Sequence, residues 1–163
     1  TRLRCDWSSD VCSSDLVFVA KKEVERIPVF GAAVRACGHI YIDRGDRARA
    51  LVSLDVARKR LEEAAPTVIM FPEGTRSNTG ELGSFKKGAF VLAIQTGASV
   101  VPAAIFGSRQ VMKRGSFLIN SGIVRVHFGE LIQVGGYSME NRARLTHRAQ
   151  QAVSELQKRY ETS

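Results

Sequence analysis

The sequence predicts an α/β protein, a single domain with a central, mostly parallel or mixed sheet and flanking helices. Short apolar runs of strand length alternate along the chain with longer amphipathic segments of helical period. The composition is 44% apolar and 25% charged, as in globular proteins. The 163 residues are enough to bury one hydrophobic core.

The first half of the chain contains three predicted strands and two predicted helices. Residues 17–20 are a short apolar run, and residues 39–44 alternate between apolar and polar side chains, as a half-buried strand does. Residues 28–37 have a proline in the first turn and a glycine beyond the end, which predicts a helix. Residues 46–64 have one apolar face and predict an amphipathic helix. Residues 67–71 are continuously apolar, which predicts a central strand covered on both faces.

The second half of the chain alternates in the same way. Gly97 follows one predicted helix as its C-cap, and Pro102, which has no amide hydrogen, predicts a sheet edge or a bulge. The predicted elements are a polar loop at 72–85, a helix at 87–96, strands at 99–106, 123–128 and 131–134, and a helix at 137–160. The apolar stripe of the last helix comprises Leu145, Ala149, Val153, Leu156 and Tyr160.

Residues 1–16 differ from the rest of the chain. They contain the only tryptophan, two of the three cysteines and a near-repeat of Ser-Ser-Asp. Codons for residues 6–16 can be written so that they reproduce a widely used sequencing-library adapter read in frame. We therefore interpret residues 1–16 as a non-native, adapter-derived tail and residues 17–163 as the native domain.

The charge of the chain favours an anionic partner. The net charge is +8, and the tail holds two arginines and three aspartates, so residues 17–163 carry +9. Phosphate-bearing small molecules, acidic lipid surfaces and nucleic acid all fit this charge. Nucleic acid is disfavoured because aromatic residues are few, 7%, and do not alternate with the basic ones. The cysteines have no metal-ligand spacing, so no metal site is predicted.

The segment FPEGTR, residues 71–76, directly follows a predicted strand, where open α/β sheets bind ligands. Gly74 allows the backbone to approach a ligand, and Arg76 offers a planar fork for phosphate oxygens. Glu73 either orients Arg76 or accepts a hydrogen bond from a substrate hydroxyl. Lys86 and Lys87 precede a predicted helix, whose first amides also favour anions.

These residues resemble the lysophosphatidic acid acyltransferases, the 1-acylglycerol-3-phosphate acyltransferase family. FPEGTRS is preceded by GHIYIDR, residues 38–44, and followed by FKKGA, residues 85–89, and VPAAIFGSR, residues 101–109. The order and spacing of these blocks match the family over about residues 17–134. The resemblance implies a glycerolipid acyltransferase-like fold and an enzyme that converts lysophosphatidic acid to phosphatidic acid. The acyl donor would be acyl-CoA or acyl carrier protein, and no cofactor would be bound.

The resemblance also implies roles for individual residues. Residues 73–76 would bind the acceptor phosphate with help from Arg44, and Val101 and Pro102 would lie in the acyl-donor region. The predicted phosphate-binding set is Arg44, Phe71, Pro72, Glu73, Gly74, Thr75, Arg76, Lys86 and Lys87.

The predicted site lacks a general base. The family supplies it from a His-x4-Asp motif, and none of the three histidines has an aspartate five residues on. His39 and Asp43 would lie about 13 Å apart on a strand, too far for a hydrogen bond. We therefore expect no catalytic residue in this chain, the base and its aspartate lying upstream of Val17, and an inactive fragment. His39 is interpreted as a strand-face residue, and His127 and His147 as surface or packing residues.

The implied partners are a lysophospholipid, an acyl thioester, an anionic membrane surface and acyl carrier protein, and the implied location is the cytoplasmic face of a membrane. Two alternatives stay open. One is an acyltransferase for another acceptor, such as glycerol-3-phosphate or another lysolipid. The other is a non-enzymatic basic module that binds membranes or nucleic acid. For membrane binding, its surface would be the C-terminal helix, which is basic at Arg142, Arg144, Arg148 and Lys158.

Overall fold

The computed structural model describes residues 16–21, 40–42, 55–56, 58–59, 67–75, 77, 79–113, 116 and 118–160. The chain falls into two compact units, Thr1–Met70 and Phe71–Ser163. The predicted helix 28–37, the tail up to residue 15, His39, Arg44 and Arg76 lie outside the described residues.

The first unit contains a parallel sheet of three described strands: β1 Leu16–Lys21, β2 Ile40–Ile42 and β3 Thr67–Ile69. The strand order is β2-β1-β3, and both pairings are parallel. Val17 and Val19 of β1 are buried. The prediction of an α/β fold with a mostly parallel sheet is confirmed in this unit. Leu16, which we assigned to the tail, already belongs to β1 and pairs with Thr67.

The prediction that residues 67–71 form a central strand covered on both faces is wrong for the described sheet. Here β1 is the middle strand, and β3 pairs with β1 alone. The strand ends at Ile69, and Phe71 is 54% exposed. A continuous apolar run indicates burial only in general and does not tell which strand has neighbours on both sides.

Helical residues are found within the predicted helix 46–64. Asp55, Val56, Arg58 and Lys59 are helical. The Arg58 guanidinium donates to Asp55 Oδ1 from Nε at 3.1 Å and from Nη2 at 3.0 Å. Hydrogen bonding by Arg58 lowers the pKa of the Asp55 carboxyl below its ordinary value. The helix prediction is confirmed for these residues.

The second unit begins with the predicted loop and then helix α1, Gly88–Thr96. The helix ends as predicted at Gly97, whose φ of +67° is left-handed. The Ala98 N–H donates to the carbonyl of Ala93 at 3.0 Å, which satisfies one of the last carbonyls of the helix.

A two-stranded antiparallel sheet follows, with β4 Ala103–Phe106 and β5 Arg125–Phe128; helix α2, Ser108–Val111, lies between them in the chain. The predicted strand 99–106 therefore begins later than expected. Pro102 cannot donate to a ladder, although its carbonyl accepts the Gly129 N–H at 2.8 Å. Before it, Val100 and Ile132 form an isolated bridge, which is all that remains of the predicted strand 131–134.

Helix α3, Arg142–Tyr160, closes the second unit. Its buried side chains include Leu145, Ala149, Val153 and Leu156, which confirms the predicted stripe. Leu145 and Ala149 pack with Phe90 of α1, whereas Val153 and Leu156 pack with Ala104 of β4. Although α3 has 19 residues, neither it nor any other helix in the described part is apolar enough to cross a membrane.

Two of the three histidines lie in this unit. His127 of β5 stacks on Tyr160 with ring centroids 3.8 Å apart and meets Phe106 edge-on at 5.7 Å. His147 is exposed on α3. Their interpretation as packing and surface residues is confirmed.

Candidate functional site

The FPEGTR segment begins with a tight turn. The Gly74 N–H donates to the Phe71 carbonyl at 3.1 Å, which closes a four-residue turn with Pro72 in its second position. Proline favours that position because its φ is already fixed near the required value. Gly74 has φ of +74°, a left-handed conformation that glycine adopts without penalty. The Pro-Glu-Gly sequence therefore determines the shape of this turn.

The carboxylate of Glu73 holds the loop closed. Its Oε2 accepts the backbone N–H of Gly83 at 2.8 Å. One step further along, the Lys86 N–H donates to the Pro72 carbonyl at 2.8 Å. The beginning and the end of the loop are thus joined by two hydrogen bonds. Sequence reasoning gave Glu73 two other partners, Arg76 or a substrate hydroxyl, and missed this one.

The side chain of Glu73 lies close to the α-carbon of Gly83. A Cβ placed on Gly83 would lie 3.0 Å from Oε2 of Glu73, so a larger residue would require the carboxylate to shift by a few tenths of an ångström. Charged hydrogen bonds of this type contribute about 1.5–3 kcal/mol. The hydrogen bond between Glu73 and Gly83 is therefore one of the described contacts that restrain the loop shape.

The middle of the loop is rich in hydroxyl groups that bind neighbouring amides. Ser77 Oγ accepts the Gly80 N–H at 2.9 Å, and Thr79 Oγ1 accepts the Glu81 N–H at 3.2 Å. These local contacts are typical of Ser and Thr in turns. Thr75 is exposed. The loop therefore has internal support and presents Thr75 to solvent.

Two predicted cations lie where the loop meets α1. Lys86 and Lys87 are both exposed, and Lys87 is the N-cap of α1 with no side-chain capping bond. The first turn of α1 contains no acidic residue. The partial positive charge of the helix N-terminus therefore adds to the two lysines.

A further cation, missed from the sequence, lies beside the loop. A Cβ placed on Gly80 would lie 3.7 Å from Nη1 of Arg109, so the guanidinium of this α2 residue approaches the loop. The signal was present, since Arg109 ends the block VPAAIFGSR. Its proximity to residue 80 depends on tertiary structure, which the sequence spacing does not reveal.

The predicted acyl-donor residues have different environments. Pro102 is buried and Val101 is exposed. Arg44 and Arg76 are outside the described residues, so their placement in the phosphate site stays a prediction. Phe71, Pro72, Glu73, Gly74, Thr75, Lys86 and Lys87 all lie on the loop or at the start of α1.

The described side chains suit anion binding better than proton transfer. Cations, hydroxyl groups and a restrained backbone converge on one loop, while His127 stacks on Tyr160 and meets Phe106 edge-on, and His147 is on the α3 surface. Among the described residues, no group of three or more His, Cys, Asp or Glu side chains is arranged to hold a metal ion. These side chains suit an anionic group such as phosphate, so the phosphate site stays a prediction that the described geometry fits.

Comparison with known proteins points to one family. The family model described as acyltransferase matches residues 3–106. The match starts inside the segment that we interpret as a non-native tail. A chloroplastic 1-acyl-sn-glycerol-3-phosphate acyltransferase from Arabidopsis thaliana is 41% identical over 110 residues, which cover 67% of this chain and 31% of that protein. The 1-acyl-sn-glycerol-3-phosphate acyltransferase from Haemophilus influenzae is 32% identical over 125 residues. These residues cover 77% of this chain and 51% of the Haemophilus protein.

A solved structure supports the same grouping. The crystal structure of the 1-acyl-sn-glycerophosphate acyltransferase of Thermotoga maritima matches with a TM-score of 0.68 and 29% sequence identity. The match covers 88% of this chain and 58% of that one. The chain thus spans between about a third and somewhat over half of the proteins that it resembles here.

Proposed function

Since the chain belongs to the acyltransferase family, we propose that the protein it represents converts lysophosphatidic acid to phosphatidic acid. The observation that supports this acceptor is the closed loop that follows β3, with Glu73 bound to Gly83 and with Lys86 and Lys87 beside it. A phosphate monoester is the anionic group of lysophosphatidic acid. The family resemblance of the proteins named above supports the same reaction.

The proposed reaction divides the work between two parts of the protein. The phosphate would be held by the loop, with Arg76 and Arg44 as its main cations. Holding the phosphate fixes the free hydroxyl of the acceptor in place, which is an entropic contribution to catalysis. A histidine of a His-x4-Asp motif, proposed to lie upstream of Val17, would take the hydroxyl proton.

The bond changes follow from an acyl thioester as donor. The acceptor oxygen attacks the thioester carbonyl carbon, the carbon–sulfur bond breaks, and the thiol leaves with a proton. The donor is a substrate and not a resident cofactor. We propose acyl-CoA or acyl carrier protein as its carrier, with Val101 and Pro102 in the donor region.

We further propose that the protein works at the cytoplasmic face of a membrane. Both lysophosphatidic acid and phosphatidic acid are anionic lipids, and the native part of the chain carries a net charge of +9, with the tail excluded as above. An anionic surface attracts such a protein.

Replacing Glu73 tests the phosphate site. Glu73→Ala removes the acceptor of the Gly83 amide, so the loop loses its shape and the affinity for lysophosphatidic acid falls roughly 10- to 100-fold. Glu73→Gln keeps a side-chain oxygen that can accept the same N–H and should retain most of the affinity. Calorimetric titration of the 163-residue chain with short-chain lysophosphatidic acid measures both.

The matched ligand is a monoacylglycerol with the same acyl chain but no phosphate. Its binding should be weak and equal in both variants. Unchanged affinity of Glu73→Ala for lysophosphatidic acid, with unfolding unaffected, would show that the loop is not the phosphate site. Titration with glycerol-3-phosphate distinguishes the alternative acceptor, since it carries the phosphate without the acyl chain.

A further inference from the structure

The exposed apolar side chains of the protein are concentrated in one stretch. Thirteen large apolar residues are exposed in the described part of the chain, and nine of them lie between residues 101 and 131. We name these nine the 101–131 patch: Val101, Ile105, Leu118, Ile119, Ile123, Val124, Val126, Phe128 and Leu131. Such a concentration is unusual, because scattered single apolar residues are the norm on protein surfaces.

Part of the patch is one face of the β4–β5 sheet. Ala104 and His127 pair across the strands and belong to the face that packs against α3. The neighbouring pairs, Ile105 with Val126 and Ala103 with Phe128, point to the opposite face because side chains alternate along a strand. These four residues are exposed, with Phe128 at 65%. The sheet thus has an apolar face that no described segment buries.

The rest of the patch includes the segment between α2 and β5. Leu118 and Ile119 are each 76% exposed. The segment is nevertheless held in place, because the Asn120 N–H donates to the Val111 carbonyl at 2.8 Å and the Leu118 N–H donates to Ser116 Oγ at 3.0 Å. Two adjacent apolar side chains are therefore presented to solvent by hydrogen-bonded backbone.

The segment that holds the patch is positively charged in sequence. Residues 101–134 contain four cations and one acid, a net charge of +3. Arg125 belongs to the β5 face that packs against α3, and Arg109 approaches the loop at Gly80, so the described cation nearest Leu118 in the chain is Lys113. Lys113 is exposed and its carbonyl accepts the Ser116 N–H at 3.2 Å, so it lies one turn before Leu118. Exposed apolar side chains next to cations fit a surface with an apolar interior and anionic headgroups.

We propose that the 101–131 patch rests on an anionic phospholipid surface, with Leu118 and Ile119 entering it. The proposal depends on the proposed function only in that the substrate is a membrane lipid. The basic C-terminal helix suggested by the sequence is a poorer candidate. The apolar stripe of α3 is buried in the core, so this helix offers charges but no apolar side chains for insertion.

Sedimentation with lipid vesicles tests the proposal on the 163-residue chain. The test variant is Leu118→Ser with Ile119→Ser, and its partition onto vesicles of phosphatidylcholine and phosphatidylglycerol, an anionic lipid without a phosphate monoester, should fall at least roughly tenfold. The matched control is Val56→Ser with Met139→Ser, which removes two exposed apolar side chains outside the patch. The control should bind as the parent chain does.

A second measurement does not depend on substitutions. Hydrogen exchange at residues 118–128 should slow when the parent chain binds these vesicles, and exchange at the exposed face of α3 should not. Vesicles of phosphatidylcholine alone should bind the chain more weakly, because the cations then lack anionic headgroups.

Three results would overturn the proposal: equal vesicle binding by test and control variants, protection confined to α3, or a dimer in light scattering that the test variant dissociates. The last result would assign the patch to a second copy of the chain. Failure here is separable from failure of the proposed function, since Glu73→Ala should impair binding of lysophosphatidic acid and leave vesicle binding unchanged.

Discussion

Joining this chain to an N-terminal segment that carries a His-x4-Asp motif is expected to raise its acyl-transfer rate by roughly 10²–10⁴-fold, the usual contribution of a positioned general base. The 163-residue chain itself should show at most a trace of turnover. In the described part, His127 stacks on Tyr160 and His147 is exposed on α3, and neither histidine has the aspartate of a His-x4-Asp motif. The expected gain reflects proton removal by the added histidine, on the proposal that the loop holds the acceptor phosphate.

Release of the thiol from an acyl thioester, with lysophosphatidic acid as acceptor, measures this gain. The control is the extended protein with the motif histidine changed to alanine, which should return to the rate of the unextended chain. Running the assay with acyl-CoA and with acylated carrier protein distinguishes the two proposed donors. Turnover by the 163-residue chain at the rate of the extended protein would contradict the prediction and would require a base within residues 17–163.

In the extended protein, the loop and the base should affect different kinetic constants. Glu73→Ala should loosen the loop that is proposed to hold the acceptor phosphate and should mainly raise KM for lysophosphatidic acid. The histidine variant should mainly lower kcat. The same fall of kcat and rise of KM in both variants would mean that they disturb one shared structure.

The elements that sequence reasoning placed well are those with local signals. Gly97 ends α1 because the left-handed C-cap conformation favours glycine, and this depends on neighbouring residues alone. The stripe along α3, such as Leu145 and Ala149, follows from the helical period. Pro102 was expected inside a strand, at an edge or a bulge, but the strand begins only after it, at Ala103.

The features that sequence reasoning missed depend on contacts between distant segments. The apolar run at 67–71 was expected to be central, but among the described strands β1 has that position because of how the strands pair. Glu73 finds its partner at Gly83 and Arg109 approaches Gly80, and no periodicity links either pair. For the candidate site, the sequence therefore predicted which residues form the loop but not what holds it together.

The 101–131 patch also combines a feature with a local sequence signal and a feature that depends on distant contacts. The alternation at residues 123–128 predicted a strand, and β5 is present. Alternation is normally taken to mean that the apolar face is buried, yet Val126 and Phe128 are exposed while His127 is packed against Tyr160. The sequence thus predicts that side chains alternate between the two faces of the strand. Which face meets the core depends on where α3 packs.

Among three glycine substitutions in the second unit, Gly107→Ala should destabilise the protein most. Gly107 has φ of +81°, and a Cβ there would overlap the carbonyl oxygen of Ile123. The left-handed conformation and the forced backbone movement together cost roughly 2–5 kcal/mol of unfolding free energy. Gly97→Ala separates the two causes, because its φ of +67° is similar but nothing lies within 4 Å, so it should cost about 1–2 kcal/mol.

Gly135→Ala is the neutral control, since a Cβ there meets nothing within 4 Å and its φ is not left-handed; its effect should stay within about 0.5 kcal/mol. Urea unfolding of the three variants measures the series. Equal losses for Gly107→Ala and Gly97→Ala would mean that the Ile123 backbone does not approach Gly107 closely. Because the same contact positions the segment before β5, Gly107→Ala should also weaken vesicle binding through the 101–131 patch, whereas Gly97→Ala should not.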